Sequence, residues 1–284
     1  MTISQVIKTS SLLRLETEIL LSFLLKKPRE FIITHPETKI TPIIIKKFKN
    51  AEKKRFQNYP LAYLTGTKEF YGLDFKVTPS VLVPRPETEM IIEEITKIAK
   101  TKIKPIIIDL GTGSGAIIIT LAKELKRLAI DCYNKSEFKA VDISVAALNV
   151  AKANAKIHQE NKKIKFFRGD LLTPITKQLK NRELIIAANL PYLTLKQIKQ
   201  SPSISREPRL ALDGGKDGLE YYNILFKQLT AIPFSAATII CEIDPSQSQK
   251  INLLFKKHYP SGQIKIQNDL SKRNRFAIIR LNNG

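Results

Sequence analysis

The sequence predicts an α/β protein: a doubly wound, mostly parallel sheet, preceded by a small helical domain and a β-hairpin linker. Three observations carry this. From Pro105 onward, short apolar runs rich in β-branched residues alternate with helical stretches, the pattern of repeated strand–helix units. A glycine-rich turn, Gly111 to Gly115, follows one such run and opens a helix. Before Gly66 the chain has no glycine, and Pro28, Pro36 and Pro42 separate short runs of helical spacing.

In chain order, Leu12, Leu13, Leu15, Ile19, Leu20, Phe23 and Leu24 recur near the helical period, so residues 2–58 read as helices. At Tyr59 the composition changes to glycine, proline and aromatics. Alternation at Phe70, Leu73, Phe75 and Val77, then Val81 and Val83, reads as a hairpin. Pro86, Glu87 and Thr88 open a helix running to Ala99, with acids in its first turn where the helix dipole favours them. Strands follow at KPIIIDLG, FKAVDIS, KIKFFRGDLL, RELIIAA, ATIICEID, QIKIQNDL and RFAIIRL, seven in all. Helices are expected at 115–128, 145–158, 219–229 and 247–259. The expected division is a helical domain over 1–72, which includes the start of the hairpin, and a second domain over 73–284.

With 284 residues, 43% hydrophobic and 26% charged, the composition is that of a globular chain, which excludes disordered and collagen-like classes. No run approaches the ~18 apolar residues of a membrane span. The N-terminal stretch carries acids inside its apolar run, unlike a signal peptide. Cys132 and Cys241 have no CxxC spacing, and three histidines do not cluster with them, so neither a metal site nor a disulfide is expected and a reduced, cytoplasmic setting is. The net charge of +21 is spread along the chain. It reads as diffuse surface charge before it reads as a footprint for an anionic partner.

Asp109-Leu110-Gly111-Thr112-Gly113-Ser114-Gly115-Ala116 is the first stretch that carries chemistry. Glycines here let a ligand approach the backbone. Gly111, Gly113 and Ala116 satisfy the dinucleotide GxGxxG/A pattern, but the next acid that ends a strand, Asp142, lies roughly 30 residues beyond Gly111 where that pattern expects ~20. This arrangement, with Asp109 ending the strand, resembles the class I S-adenosylmethionine-dependent methyltransferases. The resemblance implies that the loop passes beside the methionine and ribose, that Asp142 takes the ribose hydroxyls, and that Asp170, in Arg168-Gly169-Asp170-Leu171, lies against the adenine. Taken alone, Asp142 reads equally as a helix N-cap and Asp170 as a turn acid.

Asn189-Leu190-Pro191-Tyr192 ends the fourth strand of the alternation, at the sheet edge where open α/β sheets bind ligands. An amide or aniline-type nitrogen is a poor nucleophile because its lone pair is delocalised. An Asn oxygen and a nearby backbone carbonyl can accept its N–H groups and orient it, and Tyr192 can stack on its planar group. The motif resembles the [DNS]-P-P-[YFW] motif of methyltransferases acting on planar nitrogens, with Leu190 where the first proline usually stands. NLPY also occurs in ribosomal RNA adenine dimethyltransferases, so the motif leaves glutamine and adenine both open.

Further segments separate the two. Tyr63-Leu64-Thr65-Gly66, Glu69-Phe70-Tyr71-Gly72, Phe75 and Val81-Leu82-Val83-Pro84-Arg85-Pro86-Glu87-Thr88-Glu89, then Arg206-Glu207-Pro208-Arg209-Leu210-Ala211-Leu212-Asp213-Gly214-Gly215-Lys216-Asp217-Gly218-Leu219, are similar to the peptide chain release factor glutamine methyltransferases, and the helical opening, with Leu15 to Leu21 and Thr34-His35-Pro36-Glu37, also fits. Glu242-Ile243-Asp244 stands where that family commonly has Glu-Ile-Gly. The resemblance implies a seven-stranded methyltransferase sheet and transfer of a methyl group from S-adenosylmethionine to the glutamine of a Gly-Gly-Gln motif, leaving S-adenosylhomocysteine. It implies cofactor contacts at Asp109, Gly111, Thr112, Gly113, Ser114, Gly115, Asp142, Asp170, Leu171 and Asn189. Substrate contacts are implied at Arg85, Glu87, Asn189, Leu190, Pro191 and Tyr192, with Asn189, Pro191 and Tyr192 catalytic. The expected partner is a bacterial-type class 1 release factor, met by a monomer without nucleic acid, membrane or metal. The alternative is an adenine N-methyltransferase acting on ribosomal RNA or DNA.

Overall fold

The computed structural model describes residues 1–282. The chain divides into two compact units, one of residues 1–67 with 201–206 and the other of 68–200 with the chain from 207 onward. The division expected at 72/73 lies further along, inside the hairpin.

The first unit consists of α1 (Ile3–Thr9), α2 (Arg14–Leu25), α3 (Arg29–Thr34), α4 (Pro42–Phe56) and α5 (Leu61–Thr65). Thr2 and Gln5 form a capping box at the start of α1. Ile3, Val6, Leu20, Leu21, Ile32, Ile40 and Phe48 make its core. Two acids that this core buries are both partnered: Glu18 with Arg14 and Arg29, and Glu52 with Lys49, the Ser10 hydroxyl and the Ser11 amide. Segment 201–206 is held to this unit by Arg206, whose Nε donates to the Gln57 carbonyl at 3.1 Å and whose guanidinium lies 5.7 Å from the Tyr59 ring centre.

The hairpin strands β1 (Thr67–Phe70) and β2 (Leu73–Lys76) are joined by Tyr71 and Gly72, both at positive φ, the two-residue turn whose twist matches paired strands. Val81 and Val83, read as a continuation of the hairpin, are instead buried residues of the loop beyond it. Their alternation reports burial of one side of a loop, which the strand period does not distinguish from pairing. Pro86–Thr88 forms a short 3-10 turn before α6 (Glu89–Ala99).

The sheet elements follow: β3 (Ile106–Leu110), α7 (Ala116–Leu128), α8 (Ile130–Lys135), β4 (Glu137–Asp142), α9 (Val145–Ile157), β5 (Ile164–Arg168), β6 (Glu183–Ala188), α10 (Leu195–Lys199), α11 (Glu220–Thr230), β7 (Ala236–Glu242), α12 (Ser248–His258), β8 (Gln263–Asn268) and β9 (Asn274–Asn282). The strand order is β5-β4-β3-β6-β7-β9-β8. β3 pairs in parallel with β4 and β6, β4 with β5, and β6 with β7, whereas β9 runs antiparallel to β7 and β8. All seven expected strands are present. The helices α8 and α10 were not foreseen, being too short for a periodic signal.

β3 shows why its sequence is a continuous apolar run. Ile106, Ile108 and Leu110 enter one buried cluster and Ile107 the opposite one, so helices cover both faces. The order reverses between β3 and β6, and at such a switch point the crevice beyond the strand ends is open to a ligand.

Candidate active site

A cavity of about 1130 Å³, its mouth included, opens beyond the carboxyl ends of β3, β4, β5 and β6. Its lining includes Gly111, Thr112, Gly113, Ser114, Asp142, Asp170, Leu171, Asn189, Leu190, Pro191 and Arg85. Most residues expected at the site are therefore brought together. Those not on the wall are Asp109, Gly115, Glu87 and Tyr192.

Asp109 sits beneath the glycine loop, 1% exposed, and accepts the Thr112 hydroxyl at 2.6 Å. It positions the loop from below. Burial pushes its carboxyl up to about 7. Between its unfolded value of about 4 and this raised value the folded state then holds more protons than the unfolded one, so stability falls as pH rises through the window. An asparagine carboxamide in its place could still accept from Thr112. The substitution Asp109→Asn is accordingly expected to flatten the pH dependence of urea unfolding between about pH 4 and 7, by roughly a few kcal/mol.

The Gly111 and Thr112 amides donate to the Val141 carbonyl, which pulls the loop across to the end of β4. Gly113, at φ 55°, donates its amide to Asp142 Oδ2 at 2.9 Å. Gly115 serves packing: a Cβ there would lie 2.9 Å from Ile119 Cδ1 and 3.2 Å from Ala151 Cβ, so it lets α7 approach α9. Asp142 also accepts the Ser144 amide on Oδ1 at 2.8 Å. The N-cap of α9 is Ser144, whose hydroxyl accepts from the Ala147 amide, so Asp142 is not the side chain that caps the helix. Its carboxyl is largely buried, which raises its pKa, while the Ser144, Gly113 and Ile143 amides that it accepts hold it down.

At the end of β6, Asn189 Nδ2 donates to Thr88 Oγ1 at 3.2 Å. Leu190, 2% exposed, packs into the core while touching the cavity. Tyr192 turns away: its hydroxyl donates to Glu242 Oε1 at 3.1 Å, and its ring packs against the core cluster. It is a support of the loop in this structure and not its stacking face. The loop is pinned from the other side. The Leu193 amide donates to the Leu212 carbonyl, the Gly214 amide to the Leu193 carbonyl, and Gln247 to the Tyr192 carbonyl. A Cβ on Gly214 would lie 2.5 Å from the Pro191 carbonyl oxygen and 2.8 Å from Tyr192 Cα. Gly214→Ala must therefore displace the Asn189–Tyr192 loop; we expect at least about tenfold loss of turnover, measured as initial rate at saturating substrates.

Arg85 reaches the cavity while its guanidinium pairs with Glu207 at 2.5 Å, and the other Glu207 oxygen accepts the Val83 amide at 3.0 Å. Glu87 is exposed. Glu207, Thr88 and Glu242, which hydrogen-bond to Arg85, Asn189 and Tyr192, were not singled out by sequence reasoning as site residues; Glu207 and Thr88 lie in segments carrying the family resemblance, and Glu242 in the one that departs from it. Charged or polar residues in otherwise apolar or proline-rich stretches were the available signal.

A glycine loop and strand-end acids able to hold a nucleoside, beside a carboxamide at the fourth parallel strand, on a sheet with one reversed strand, define a methyltransferase of the seven-stranded class. Comparisons agree. Residues 4–66 match the PrmC N-terminal domain and residues 84–231 a methyltransferase domain. The release factor glutamine methyltransferase of Moorella thermoacetica is 37% identical over 86% of this chain and 82% of that protein. The enzyme of the same name from Coxiella burnetii is 35% identical over 94% and 91%. Among solved structures, the human Mettl16 catalytic domain in complex with a MAT2A 3'UTR hairpin superposes with a TM-score of 0.54 at 11% identity, covering 92% of this chain and 90% of that one, a likeness of fold alone. The chain belongs to the release factor glutamine methyltransferase family.

Proposed function

We propose that the protein transfers a methyl group from S-adenosylmethionine to the side-chain amide nitrogen of the glutamine in the Gly-Gly-Gln motif of peptide chain release factors. The observation that carries this reading is the Asn189 carboxamide at the edge of the same cavity as the glycine loop and Asp142, in a chain of this family.

The donor set fits the cofactor: a loop with glycine at positive φ for close backbone approach, a carboxylate for a diol, and Asp170 and Leu171 at the next strand end for a base. S-adenosylmethionine supplies an activated methyl group as a sulfonium, so no strong base or metal is required of the protein. The residues do the positioning. Asn189 Oδ1 accepts an N–H of the acceptor amide, which holds the nitrogen and stabilises positive charge developing on it. Leu190 and Pro191 shape the wall beside it. Arg85, braced by Glu207, keeps the loop preceding α6 in place at the mouth. The helical unit binds the release factor apart from the reacting glutamine, which selects one glutamine among many. On this reading the enzyme works as a cytoplasmic monomer without nucleic acid; no helix among the described residues is long and apolar enough to cross a membrane.

Mass spectrometry of a purified release factor incubated with enzyme and cofactor tests the reading. One added methyl on the Gly-Gly-Gln glutamine is expected. Label appearing in ribosomal RNA adenine, with none on the release factor, overturns it.

A further inference from the structure

A hydrogen-bonded chain runs from Asn189 into the core, and the reaction as described uses only its first member. Asn189 Nδ2 donates to Thr88 Oγ1 at 3.2 Å, the Thr88 hydroxyl donates to Glu242 Oε2 at 2.7 Å, and the Tyr192 hydroxyl donates to Glu242 Oε1 at 3.1 Å. Thr88 and Glu242 are 4% and 2% exposed. The three links come from the turn before α6, the end of β6 and the end of β7, so the tertiary fold alone assembles them.

Each bond restricts the next. Burial pushes the Glu242 carboxyl up and the bonds from Thr88 and Tyr192 hold it down; with both oxygens occupied by these hydroxyl donors, Glu242 accepts from both. A hydroxyl has one proton; Thr88 gives it to Glu242 and can only accept from Asn189. The Asn189 amide is thereby made to show its NH₂ to Thr88, which leaves Oδ1 as the acceptor free for the cavity. Turned over, the same side chain would set its N–H groups against those of an incoming amide. We propose that Thr88 and Glu242 are positioning residues that fix the Asn189 carboxamide with its oxygen toward the acceptor nitrogen. The inference rests on the role given to Asn189 under the proposed function. It makes the threonine and the strand-end glutamate parts of the catalytic geometry instead of packing.

The test compares Thr88→Val, Thr88→Ser, Glu242→Met and Asn189→Ala in steady-state methylation of release factor, with cofactor affinity by calorimetry and thermal melting alongside. Valine keeps the shape of threonine but neither accepts nor donates. Thr88→Val is expected to lower kcat about 10- to 100-fold, with KM for release factor and Kd for cofactor within about twofold. Thr88→Ser, which keeps the hydroxyl, should retain kcat within about threefold. Glu242→Met removes both acceptors, which frees the threonine proton to donate to Asn189 and turns the amide over, so kcat should fall as in Thr88→Val. An unchanged kcat in Thr88→Val or in Glu242→Met, with Asn189→Ala inactive, overturns the inference and leaves the role of Asn189 standing. Equal losses in Thr88→Val and Thr88→Ser, or losses of kcat that track cofactor binding and melting temperature, assign these residues to packing and also overturn it. Near-normal transfer by Asn189→Ala removes the reading on which it rests. Should Thr88→Val fail to fold, Glu242→Met decides.

Discussion

Asn189→Ala is expected to lower methyl transfer by at least about a hundredfold while cofactor affinity changes by no more than a few fold. A glutamine amide nitrogen has its lone pair delocalised into the carbonyl, so reaction depends on holding it in line with the methyl group. Loss of that orientation removes part of the ~7–11 kcal/mol that fixed geometry contributes to such a step. The substitution leaves the fold intact for a reason visible in the structure. Thr88 keeps Glu242 as its partner, so no buried hydroxyl is orphaned. The backbone at 189 remains beside Gly111. Single-turnover methylation of release factor, paired with calorimetric titration of cofactor, separates the two effects. A variant that turns over near the wild-type rate would remove Asn189 from the mechanism.

Asp142→Asn is expected to weaken cofactor binding as severely as Asp142→Ala, by about 100-fold or more. An asparagine usually stands in for an aspartate that only accepts on one oxygen. Here Oδ2 takes the Gly113 amide and Oδ1 the Ser144 amide. Either orientation of the substituted carboxamide sets an NH₂ group against a backbone N–H. The glycine loop is then pushed off at the point where it must stay close to the ligand, and the charge that strengthens hydrogen bonds from a diol is lost as well. Equilibrium titration of both variants with cofactor checks this. Wild-type affinity in Asp142→Asn would show that one of those amide contacts is dispensable.

The two variants differ in how far their effects could be foreseen. Asn189 and Asp142 were legible as candidates because each ends an apolar run and is followed by turn or helix signals. The glycine loop stood out in the same way, whereas Asp170, a turn acid when taken alone, became a candidate only through the family resemblance and its register with Asp109 and Asp142. The equivalence of asparagine and alanine at position 142 was not, because it depends on which amides face the carboxylate. The sequence reading of Tyr192 as a stacking face shows the same gap. Its place after Pro191 says that it lies near the site, and nothing in that place says whether its ring turns into the cavity or back to Glu242.

Periodicity along the chain was enough to specify seven strands, the larger helices and the helical opening, because burial on one face or on both leaves a pattern of period two, of period 3.6 or an unbroken apolar run. Strand-end chemistry was readable for the same reason: an apolar run that stops at an acid or an asparagine marks where the core ends. Folding in three dimensions alone decided that Thr88, Asn189 and Glu242, far apart along the chain, share one set of hydrogen bonds, and that Glu207 braces Arg85. A hydrogen bond has direction and needs both partners in place within a few tenths of an ångström. That precision arises only once the β3–β6 switch point and the loops above it are packed together.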